Sequence, residues 1–201
     1  ARTSKTVNGQ TTYYYLDGDR IIAEQNSNYT IAYTYGADGT PIGMQFRNSS
    51  YAVGDWDVYW YEKNLQGDII AVYDEDGTKL VSYTYDAYGN FTTVYHNNGE
   101  QTTATVNPFT YRGYYWDKDL SLYVMPARYY DANTGRWISP EPNVDKTAFD
   151  MAASIAGYNL YIYCANNPTI YFDPTGEFIL TALIVGVVAG AVIGGAIGGT
   201  V

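Results

Sequence analysis

Residues 71–90 read AVYDEDGTKLVSYTYDAYGN. Short runs of Val, Tyr and Thr end in an acidic turn with a glycine, and then begin again. Val, Tyr and Thr suit the pleated, half-buried surface of a strand, while Asp-Gly and Gly-Asn supply the positive φ that a tight reversal needs. The same unit shows through in YTYGADGT (33–40) and YWYEKNLQGD (59–68), so the stretch belongs to a repeat. Alternating Tyr-x-Tyr puts two rings on one sheet face and the residue between them on the other. Rows of such rings across neighbouring strands read as structural packing. An aromatic platform for glycans is the competing reading, and it requires those faces to lie in solvent.

Further turn pairs stand on both sides, at Asn8-Gly9, Asp17-Gly18, Asp38-Gly39, Gln66-Gly67 and Asn98-Gly99. Most are spaced as a meander of short strands requires. The wider intervals, 18 to 38 and 39 to 67, each call for a further turn or insertion, the second within GMQFRNSSYAVGDWDVYW (43–60). The fold class predicted is all-β, built from antiparallel hairpins.

Composition narrows the chemistry. Lys and Arg total 11 against 21 Asp and Glu, a formal charge of −10, which excludes a phosphate-neutralising surface for nucleic acid. Cys164, alone among aromatic residues in NLYIYCANN, reads as a buried structural thiol. His96, in VYHNNGE, reads as a solvated loop residue without partners for a triad or a metal. Asp74, Glu75 and Asp76 read as a hairpin turn ahead of a calcium site, and no cofactor is expected. ARTSKTVNGQ has no apolar core of a leader and reads as the middle of a longer strand-rich chain.

The expected organisation is hairpin repeats over 1–106, a distinct module over 107–177, and a hydrophobic tail over 178–201. Within the second, NPFTYRGYYWDKDLSLYVMPARYYDANTGRWISPEP is aromatic but less regular. DKTAFDMAASIAG predicts one short helix near 145–156, capped by Asp145 and ended by Gly157. The tail, FILTALIVGVVAGAVIGGAIGGTV, is uncharged. As a helix it would be long enough to cross a bilayer, and Gly186, Gly190, Gly194 and Gly198 would line one smooth face for close packing. Glycine weakens an isolated helix by about 1 kcal/mol per residue, so the tail calls for lipid, a partner helix or an enclosing protein wall.

Taken together, YTYDAYGN, TYRGYYWDKDLSLYVMPARYYDANTGRWISPEP and NLYIYCANNPTIYFDPTG resemble the Rhs/YD-repeat family and its repeat-associated core module. The resemblance implies a β-ribbon wound into a shell around a C-terminal toxin or signalling domain, with the core module closing one end. Cargo then begins just after DPTG, at the seam Gly176–Glu177. Expected partners are the upstream repeats, the C-terminal cargo, an immunity protein for that cargo, and a membrane through 178–201. The expected location is secreted or at a bacterial cell surface.

Some members of that family also cut themselves at the seam, after the Leu of DPxGL, using one aspartate of SPDP and one of DPxG beside the Arg of RYYD. Carried over by motif, the catalytic candidates are Arg128, Glu141 and Asp173. Two carboxylates held close share a proton, so one activates water while the other protonates the amide. Two departures weaken this chemistry. SPEP replaces the aspartate by Glu141, whose extra methylene shifts the carboxylate, and a displacement of about 1 Å is enough to cost orders of magnitude in rate. Glu177 stands where the Leu belongs. A non-enzymatic shell module is therefore the preferred reading, with self-cleavage or a glycan-binding surface module as alternatives.

Overall fold

A computed structural model describes residues 2–96, 106–142, 159–177 and 180–181. Nine strands follow one another as a meander: β1 (Ser4–Val7), β2 (Gln10–Asp17), β3 (Arg20–Gln25), β4 (Tyr29–Tyr35), β5 (Pro41–Asn48), β6 (Asp57–Lys63), β7 (Ile69–Tyr73), β8 (Lys79–Tyr85) and β9 (Phe91–Tyr95). Each pairs antiparallel with its sequence neighbours, so the sheet runs β1 to β9 in order and is open at both edges among the described residues. The two wide intervals contain what their lengths call for: a reversal at 26–28 and a longer loop at 49–56.

One loop is used four times. GADGT (36–40), NLQGD (64–68), DEDGT (74–78) and DAYGN (86–90) all close with the first residue's N–H donating to the fifth residue's carbonyl, at 2.9–3.0 Å. In each, the fourth residue is a glycine with φ between +76° and +94°. The acidic or amide side chain that makes the repeat recognisable is an acceptor for loop amides. Asp86 Oδ1 takes the N–H of Tyr88 at 2.9 Å and of Asn90 at 3.0 Å, and Asp74 Oδ1 takes that of Thr78 at 2.7 Å. Register shifts at Tyr15/Leu16, Thr34/Tyr35, Glu62/Lys63 and Val72/Tyr73 sit next to these reversals and add local bend to the sheet.

The inner face carries Tyr33, Tyr59 and Tyr83, all under 10% exposed, with Tyr35, Tyr61 and Tyr85 half-buried beside them. These Tyr-x-Tyr rings pack inward, as the alternation predicts, and are not a solvent-facing platform. The chain after 106 crosses this face. Phe109 stands edge-on to Tyr33 at 4.9 Å and to Tyr115 at 5.8 Å, closing the first core. A second, four-stranded sheet follows: β10 (Tyr115–Asp117), β11 (Leu122–Val124), β12 (Tyr129–Asp131) and β13 (Arg136–Trp137). Its core gathers Tyr114, Tyr123, Tyr130, Trp137, Tyr163 and Cys164.

Tyrosines of this module grip the 86–90 loop. Tyr111, Tyr130 and Tyr123 donate their hydroxyls to the carbonyls of Ala87, Tyr88 and Gly89, at 2.7–2.8 Å. Each ring is buried and each polar tip caps a loop carbonyl, which a phenylalanine would leave bare.

Two strands complete the described chain, β14 (Tyr171–Phe172) and β15 (Leu180–Thr181), paired antiparallel across the DPTG turn. The first described residues of the tail are thus extended and paired. The turn reverses the chain and lays it alongside the strand that precedes it. The helix expected at 145–156 and Gly186, Gly190, Gly194 and Gly198 lie outside the described residues. No helix among the described residues is long and apolar enough to cross a membrane.

Candidate functional site

The DPTG turn is organised by its own aspartate. Asp173 Oδ1 accepts the N–H of Gly176 at 2.8 Å and of Thr175 at 3.3 Å, and Gly176 takes φ +80°. A side chain at Gly176 would press within 3.3 Å of the Arg128 amide and the Met125 Cβ, so this approach requires glycine. The Tyr114 hydroxyl donates to the Asp173 carbonyl at 2.7 Å and accepts the Asp173 N–H at 3.3 Å, fixing its backbone from both sides. Ala127 N–H, one residue before Arg128, donates to the Thr175 carbonyl at 3.1 Å.

Arg128 occupies the centre, 4% exposed. Its Nε donates to the Gly176 carbonyl, and Nη1 reaches the Leu160 carbonyl at 3.4 Å. Nη2 faces Glu141 Oε2 at 2.8 Å and Asp173 Oδ2 at 3.4 Å. The guanidinium plane lies over Trp137, 4.2 Å from the ring centroid. Burial draws the guanidinium pKa down against the pull of Glu141 and Asp173, yet arginine remains a cation in proteins. Asp173 is 1% exposed, while the Glu141 side chain reaches the edge of the site and its N–H donates to Leu160 O at 2.9 Å. Glu177 is exposed, its N–H on Thr175 Oγ1 at 3.3 Å.

The candidates Arg128, Glu141, Asp173 and Gly176, more than forty residues apart at the extremes, therefore converge on one guanidinium. The arrangement is chemically two-sided. A donor already sits on a seam carbonyl, as stabilisation of a developing oxyanion requires. A cation that touches both carboxylates, however, favours two charges, whereas acid–base work by a pair requires one shared proton. Tyr114 and Trp137 carry no role in the motif reading. The only available signal is their place within YRGYYWD and GRWISPEP, where a packing aromatic and a positioning one look alike.

Cys164 is fully buried, and desolvation pushes its thiol up to about 12, the signature of an inert structural cysteine. His96, expected in solvent, is half-buried: its N–H bonds Leu80 O at 2.9 Å and its Nε2 lies 2.9 Å from Ser82 Oγ. It continues the β8–β9 pairing by one residue, which composition alone did not indicate. No cluster of metal-ligating side chains is present among the described residues.

The sequence profile of the teneurin YD-shell family matches residues 58–169. The tRNA nuclease WapA of Bacillus subtilis is 32% identical over 191 residues, which cover 92% of this chain and 7% of that protein. The toxin protein Tse5 of Pseudomonas aeruginosa is 34% identical over 79 residues, 39% of this chain and 5% of its own length. The chain thus spans a small fraction of each of these relatives. Among solved structures, the TcdB2-TccC3-Cdc42 crystal structure aligns with a TM-score of 0.62 at 23% identity, over 87% of this chain and 8% of that one. That likeness concerns the fold.

Proposed function

The chain belongs to the teneurin YD-shell family, and on that premise we propose that it is the C-terminal stretch of a β-shell enclosing a C-terminal toxin or effector domain. In this reading residues 1–106 are the last repeats, 107–177 the closing module, and 178 onward the start of the cargo. The names of the relatives, a nuclease and a toxin, support a toxin-associated shell. They also support a secreted or cell-surface location, with an immunity protein guarding the producing cell against the cargo.

The observation that carries the reading is the Arg128 knot. The point where cargo begins is tied to three separate segments, through the carbonyls of Gly176 and Leu160 and the carboxylates of Glu141 and Asp173. Such a tie holds a seam shut and sets where the ordered wall ends. The glycan-platform alternative loses its basis, because Tyr33, Tyr59 and Tyr83 are buried. Self-cleavage remains the second reading, favoured by the convergence of its three motif residues and opposed by the cation between the carboxylates.

The test is the intact mass of the parent protein, expressed with its upstream repeats and native cargo, followed by protease challenge. A single uncut mass with protected cargo is the expected result. Two fragments meeting at Gly176–Glu177, and lost in Asp173→Asn, would replace the container with a self-cleaving module. Uncut but freely digested cargo would overturn encapsulation itself.

A further inference from the structure

A cavity of about 350 Å³ lies between the first three strands and the segment 106–119, well within the size range of small-ligand sites. Glu24 of β3 lines it and is only 3% exposed. Its carboxylate oxygens accept the hydroxyls of Tyr29 at 3.2 Å and Tyr115 at 2.5 Å. Phenols supply hydrogen bonds but no charge, and no ammonium or guanidinium among the described residues lies within ion-pair distance of Glu24. A buried carboxylate held only by neutral donors is an unbalanced charge, which proteins rarely keep without a counter-ion. Desolvation accordingly raises its pKa.

The walls suit a cation with an apolar stem. Tyr29, Tyr115 and Trp116 bring aromatic rings to the lining, and aromatic faces attract ammonium groups. Lys5 also lines the cavity, but its Nζ is engaged by Asp117 at 2.9 Å and Asp119 at 2.7 Å. An anionic ligand would meet the Glu24 charge at the cavity wall. A metal ion would find one carboxylate where several ligands are needed.

We propose that this cavity binds a primary alkylammonium group, with the carboxylate of Glu24 as its counter-ion and the aromatic walls around its stem. A lysine side chain and a free diamine share this chemistry. The site is independent of the seam and of the enclosed cargo.

Calorimetric titration of the 201-residue chain at constant ionic strength tests it, with n-butylammonium as the probe and n-butanol as its neutral counterpart. Saturable binding of n-butylammonium is expected, at least tenfold weaker in Glu24→Gln, with no saturable binding of n-butanol. Gln keeps an acceptor for the tyrosines while removing the charge. Because a variant can fail to fold, the wild-type melting temperature is measured as well, and should rise saturably with n-butylammonium but not with matched sodium chloride. Equal binding by Glu24→Gln, equal binding of n-butanol, or no saturable effect on the wild type would each overturn the proposal. Comparing acetyl-lysine methylamide with butane-1,4-diammonium then distinguishes a polypeptide ligand from a free amine by which binds more tightly.

Discussion

The guanidinium of Arg128 faces two carboxylates, two carbonyls and an indole ring at once. Lysine could supply the charge but not the planar fork or the stacking surface. Arg128→Met would leave Asp173 and Glu141 without their cation, and breaking a buried ion pair from one side costs about 3–5 kcal/mol. Urea unfolding of the chain should show a loss in that range, with Arg128→Lys recovering only part of it. A change under about 1 kcal/mol would mean that the knot is an exposed ion pair of little consequence. Of this site, Arg128, Glu141 and Asp173 were legible in the sequence because charged residues at motif positions stand out. Tyr114, which holds both sides of the Asp173 backbone, was not, because its role depends on where one hydroxyl points.

The four five-residue loops share a glycine at the fourth position but not its surroundings. A Cβ on Gly77 would meet nothing within 4 Å, whereas one on Gly89 would meet the Tyr111 ring at 2.6 Å. Both carry positive φ, +79° and +94°. Gly77→Ala should therefore cost only the left-handed backbone, about 1–2 kcal/mol. Gly89→Ala adds the collision and the disturbed tyrosine grip, and should cost about 2–4 kcal/mol. Thermal unfolding of the two variants side by side measures the difference, and equal losses would mean that the grip contributes nothing. The loops were readable as turns from Asp-Gly, Gln-Gly and Gly-Asn. Their five-residue form was not, since composition does not say which amide an Asp86 or Asp74 side chain will bind. The aromatic strands were readable for the opposite reason: alternation alone decides which face is buried.

At the scale of the molecule, the two sheets are joined by contacts that span nearly the whole chain. Arg2 Nη1 lies 2.7 Å from Asp117 Oδ2, and Lys5 Nζ is 2.9 Å from its other oxygen. Burial alone would push the Asp117 carboxyl up, but the bonds from Lys5 and Arg2 override it and hold it below the usual range. A carboxylate depressed in the folded state stabilises above its unfolded pKa, about 4. That contribution is lost as pH falls through the folded value. The stability difference between wild type and Asp117→Asn should thus be constant from neutral pH down to about 4.5 and shrink below it, as chemical denaturation at stepped pH would reveal. A difference that persists to the lowest pH would mean that the ion pairs do not clasp the sheets. This clasp was invisible in the sequence, because nothing in RTSK or WDKD says that they meet. The open sheet and its order were legible, since a meander of hairpins has few other ways to pair.

That sequential order has a consequence for how the protein comes into being. Every strand from β2 to β9 finds its first partner in the strand made just before it, so the sheet can grow at the pace at which the chain leaves a ribosome or a secretion channel, with no wait for distant sequence. The contacts of Tyr115 with Glu24 and of Asp117 with Arg2 reach back across 91 and 115 residues, and they form only after nine strands are laid down. The module thus behaves as the stop at the end of a zip: it adds nothing to the sliding, and it keeps what has been closed from running open again.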